Sequence, residues 1–94
     1  MHRRIILGVQ IIDRLGYAPR VQQLLTEFGC SIKTRLGLHE VSDDGQFCSR
    51  SGLLLMEMLG PEEEIEKLRS ALAELPGVSV ERMIFETPEF ETPR

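Results

Sequence analysis

The spacing of apolar positions changes period along this chain, and each change marks an element. Residues 5–12, Ile5-Ile6-Leu7-Gly8-Val9-Gln10-Ile11-Ile12, form a short run rich in β-branched side chains, which predicts a first strand. Val21, Leu24, Leu25 and Phe28 then fall at i, i+3, i+4 and i+7, the stripe of an amphipathic helix. Pro19 suits its first turn, and Gly29 suits its end. Ile32, Thr34, Leu36 and Leu38 alternate with Lys33, Arg35, Gly37 and His39, which predicts a second strand over 32–41. The first set is expected to be buried and the second to face water.

Residues 42–51 are polar and contain the turn signal Asp43-Asp44-Gly45, so they read as a loop. A third strand is expected over 53–59. Gly60-Pro61-Glu62-Glu63-Glu64 opens a second helix, with Pro61 at its first position and three carboxylates near the positive end of its dipole. Ile65, Leu68, Leu72 and Leu75 give its apolar stripe, and Pro76-Gly77 ends it. A fourth strand follows over 78–85. Thr87-Pro88 and Thr92-Pro93 mark the remainder as extended. The expected organisation is a single domain over residues 4–86 and a C-terminal tail over 87–94.

The order is βαββαβ. Right-handed crossovers in both halves place the two helices on one face of a four-stranded antiparallel sheet, the ferredoxin-like α+β sandwich. Strands one and three then lie in the centre. Strand three is apolar on both faces, with Leu53, Leu55 and Leu59 on one and Leu54, Met56 and Met58 on the other. Strand one is similar. The face without helices should therefore carry an apolar centre, with Met56 and Met58 taken as its outward positions. Lys33, Arg35, Glu81 and Arg82 would form its polar border. Such a patch predicts a homo-oligomer, dimer or tetramer, unless the tail and Phe90 fold back over it.

Composition narrows the functions available. Ninety-four residues make one core. A net charge of −4 gives no basic surplus to release counterions, so direct nucleic-acid binding is not expected. No apolar run is long enough to span a bilayer, and no membrane partner is expected. The His2-Arg3-Arg4 start is followed by a strand-like run without a small-residue cleavage site, which implies cytoplasmic residence. Cys30 and Cys48 then read as free thiols, Cys30 as a small core residue.

The candidate chemistry is sparse. Asp13-Arg14-Leu15-Gly16-Tyr17-Ala18 forms a tight strand-to-helix loop that aims helix-start N–H groups at whatever docks there. Asp13 and Arg14 offer opposite charges to a small ligand, or simply cap the loop and meet solvent. Gly16 leaves room beside the backbone, or supplies a positive φ. His39 and Cys48 flank the 42–51 loop, and imidazole plus thiolate suits zinc, nickel or copper. Met56, Met58 and Met83 suit packing better than a pocket. Glu62, Glu63 and Glu64 fit helix-start electrostatics better than acid–base work. No Ser-His-Asp set, P-loop or metalloprotease helix is present, so no enzyme activity is expected.

The stretch from Asp13 to Ala18, followed by Val21, Leu24-Leu25, Glu27-Phe28-Gly29 and Ile32, resembles the opening of an ACT domain. Three further segments, Thr34-Arg35-Leu36-Gly37-Leu38-His39-Glu40, Gly52-Leu53-Leu54-Leu55-Met56-Glu57 and Pro76-Gly77-Val78-Ser79-Val80, resemble a narrower group. That group is the small stand-alone regulators of iron-only hydrogenase systems, similar in fold to the C-terminal domain of the nickel-responsive regulator. The resemblance runs from Arg4 to about Phe85. It implies a regulatory module that binds a small effector such as an amino acid between paired domains, using Asp13, Leu15, Gly16, Tyr17 and Ala18. Leu15 stands where most ACT domains have Pro. The nickel regulator carries its DNA-binding segment ahead of this domain, and nothing before Arg4 here could form one. It holds metal with His-x-His on the equivalent strand and a later Cys; here Gly37-Leu38-His39 keeps one His, and Cys48 lies further on.

Overall fold

The computed structural model describes residues 2–12, 16–41 and 48–88; for residues 2, 39–41 and 48–51 it describes the backbone alone. Strand β1 is His2–Ile11, helix α1 is Ala18–Glu27, and strand β2 is Ile32–Val41. Strand β3 is Cys48–Met58, helix α2 is Glu62–Ala73, and strand β4 is Val78–Thr87. The sheet is antiparallel with order β2-β3-β1-β4, so β1 and β3 are central and the ferredoxin-like arrangement holds.

The core lies between the sheet and the two helices. Val21, Leu24 and Leu25 of α1 and Ile65, Leu68 and Leu72 of α2 meet Ile5, Leu7, Val9 and Ile11 of β1 and Met56 and Met58 of β3. Each fully buried Leu or Met contributes roughly 1.5–3 kcal/mol relative to exposure. Leu75 falls just beyond α2 and packs at the core's edge.

Several boundaries differ from the sequence reading, each for a local reason. β1 begins at His2 because its first residues pair with β4 as far as Thr87. By the same pairing β4 runs two residues past Phe85. β3 begins at Cys48, inside the stretch read as loop, because Cys48 pairs with Val41. Pro61 is the N-cap of α2 rather than its first residue, with an extended ψ of 137°. Gly29 does not take the left-handed conformation. A 3-10 turn over Gly29–Ser31 carries the chain on, and Cys30 within it is exposed rather than in the core.

The largest correction concerns the faces. Residues directly opposite in a sheet share a face. Leu7 opposes Met56 and Ile5 opposes Met58, so both methionines point to the helices. Met56 is 0% exposed. The outward positions of β3 are Leu53 and Leu55, which oppose Leu38 and Leu36. Leu36, expected to be buried, is 54% exposed, and Leu38 is similarly open. Arg35 and Arg82 turn instead to the helix side, where they reach Gln22 of α1 and Glu66 of α2 at 3.2 and 3.1 Å. The face without helices therefore carries an apolar patch that reaches both edge strands, with Glu57 and Glu81 on the same face. Leu36, Leu38, Leu53, Leu55, Met83 and Phe85 are all exposed. At its centre Leu55 Cδ2 stands 3.6 Å from the position a Cβ on Gly8 would take.

Candidate functional site

The connection from β1 to α1 holds the residues that the sequence singles out. Asp13, Arg14 and Leu15 lie outside the described residues. Gly16 takes φ +82°, and a Cβ built on it meets nothing within 4 Å. The backbone needs the left-handed region, and among the described residues the space beside it is open. Tyr17 is the N-cap of α1 and is half-buried, with no capping hydrogen bond from its side chain. Its carbonyl accepts the Val21 N–H at 3.1 Å. Pro19 carries no N–H, so the first turn offers fewer donors to a ligand than the loop pattern suggests. On the far side of the connection, Ile12 N–H donates to the Gly77 carbonyl at 2.8 Å, which anchors the exit of β1 against the turn before β4.

His39 and Cys48 belong to strands that pair, with His39 opposite Gly52 and Cys48 opposite Val41. The side-chain geometry on which a metal centre would rest lies outside the described residues. Among the described residues no group of three or more His, Cys, Asp and Glu is placed to hold a metal ion.

A second feature lies at the opposite end of β1. A cleft of about 190 Å³ is walled by Arg3, Arg4, Lys33, Glu57 and Glu62, with Ile5, Met58, Leu59 and Ile65 among its apolar residues. Arg3 Nη1 donates to Glu62 Oε1 at 2.8 Å. Arg4 Nε donates to Glu57 Oε2 at 2.8 Å, and Arg4 Nη2 reaches the other oxygen at 3.4 Å. This fork raises the Arg4 pKa above its ordinary value. Lys33 Nζ stands 4.0 Å from Glu57 Oε2, too far for a hydrogen bond. No sequence motif marks this group, because its members come from β1, β2, β3 and α2.

On α2, Glu66 accepts from Arg69 Nε at 2.8 and 2.9 Å and from Arg82 of β4 at 3.1 Å. The hydrogen bonds from Arg69, helped by the charge of Arg82, hold its carboxyl below the usual range. This pairing ties α2 to β4 and lies away from both candidate sites.

No family model and no curated protein matches the chain. Solved structures do match it. An uncharacterized protein of Thermotoga maritima aligns over 90% of this chain and 100% of its own, with a TM-score of 0.72 and 20% identity. The ACT domain of the GTP pyrophosphokinase of Chlorobium tepidum aligns over 86% of this chain and 96% of its own, with a TM-score of 0.57 and 22% identity. CPII of Thiomonas intermedia K12, solved with ADP, AMP and acetate, aligns over 94% of this chain and 91% of its own, at 0.53 and 13%. The fold is thus ACT-like, and no helix is long and apolar enough to cross a membrane among the described residues.

Proposed function

We propose that this protein is a non-enzymatic, small-molecule-sensing regulatory module that works as a homo-oligomer. The effector site is the β1–α1 connection, Asp13, Arg14, Leu15, Gly16, Tyr17 and Ala18. The observation that carries this reading is the open space beside Gly16 among the described residues, where β1 ends and α1 starts; Gly60 between β3 and α2 is similarly open, and the 13–18 sequence pattern is what favours the first connection. The ACT-like fold and the ligands of CPII, a structural neighbour, are consistent with it. A second copy packed beside this loop would enclose a ligand held there. The uncovered apolar face supplies the driving force for self-association. The effector class is an amino acid or a molecule of similar size.

The regulated process is an iron-only hydrogenase system, a reading that rests on the resemblance of the 34–40, 52–57 and 76–80 segments. Two experiments test these statements. A thermal-shift screen with amino acids and divalent metals should raise the melting temperature for an amino acid, because a ligand that binds only the folded state stabilises it. Stabilisation by a metal alone would contradict the effector reading. Unchanged hydrogenase activity in cells lacking this protein would contradict the regulatory assignment.

A further inference from the structure

We propose that the cleft at the start of β1 is a second ligand site, taking a small oxyanion-headed molecule with a short apolar body. Among the described side chains three cations, Arg3, Arg4 and Lys33, face two carboxylates, Glu57 and Glu62, a balance of about +1. The chain as a whole carries −4, which makes this a local reversal of sign. Donor capacity exceeds what the carboxylates use. The Lys33 ammonium, with three N–H donors, approaches Glu57 only to 4.0 Å. Arg3 gives one N–H to Glu62 out of the five on its guanidinium. A carboxylate or phosphoryl oxygen entering here meets unused donors and charge at once, and such bonds are short and strong. Ile5 and Met58 supply an apolar floor for a short hydrocarbon group. A cleft of about 190 Å³ suits a small guest of a few heavy atoms.

This site is separate from the effector loop, which lies at the other end of β1, and the inference does not depend on that reading. The test is an amide chemical-shift titration of the full chain with acetate, butyrate and inorganic phosphate. Saturable shifts at Lys33, Leu59 and Gly60 are expected, with butyrate above acetate if the apolar floor is used. Stronger binding by phosphate would identify a phosphoryl head and stronger binding by carboxylates a carboxyl head. Lys33→Ala should weaken the best probe by about ten-fold or more, the value of a lost hydrogen bond to a charged group. Glu62→Gln should tighten it, because a competing carboxylate is removed. That opposite pair of signs is one a merely structural role would not produce. No saturable shift for any probe would overturn the proposal. So would shifts equally large at Lys67 on the far face of α2, or equal affinity in both variants.

Discussion

Ile12 and Gly77 are held together by a backbone hydrogen bond of 2.8 Å, and the glycine leaves no room for a side chain at that contact. A Cβ on Gly77 would lie 2.5 Å from the Ile12 carbonyl oxygen, and its φ is +80°. Steric overlap with backbone and left-handed strain add here. Gly77→Ala should therefore destabilise the domain by roughly 2–4 kcal/mol, and chemical denaturation would measure it. A loss below about 0.5 kcal/mol would show that the turn repacks freely.

Gly16 presents the opposite case. Its φ of +82° carries the strain, but no atom of the described residues lies within 4 Å of its added Cβ. Gly16→Ala should cost about 1–2 kcal/mol and leave the fold intact. Gly16→Val adds bulk at the proposed effector site, so it should weaken effector binding beyond what the stability loss explains. Paired denaturation and calorimetry of the two variants would separate these effects.

The sheet faces make a sharp contrast at adjacent residues. Leu55→Lys places a charge on the uncovered face and should give a monomer by light scattering, with folding stability changed by about 1 kcal/mol or less. Met56→Lys places the same charge among the core side chains of Leu7 and its neighbours and should abolish folding, because a buried unpaired charge is prohibitive. A native protein that is monomeric at high micromolar concentration would contradict the self-association reading.

These two residues also show what the sequence could and could not specify. The order of elements and the exact span of β2 follow from periodicity and turn residues. The identity of the outward face does not, because β3 is apolar on both sides and alternation alone carries no sign. The register supplies the sign, by placing Met56 opposite Leu7 and Leu55 opposite Leu36. The loop from Asp13 to Ala18 is legible as a local pattern. The cleft at the other end of β1 is not, since Arg3, Lys33, Glu57 and Glu62 are brought together only by the sheet and α2.

Glu66 gives a pH signature. Its folded-state pKa lies below the unfolded value through Arg69 and Arg82, so its stabilising effect is present above the unfolded pKa. It is lost as pH falls through the lower, folded value. Thermal melts from neutral pH down to pH 3 should show an acid-side fall that is shallower in Glu66→Gln. Added salt should reduce the difference, because the pair is exposed. Parallel curves for the two proteins would contradict the assignment.

The most direct test of the central claim is a chemical-shift map of the protein titrated with amino acids. The account predicts saturable shifts clustered on Gly16, Tyr17, Ala18 and their loop, strongest in the oligomer. Shifts that gather on residues 42–51 and leave 13–20 untouched would contradict it.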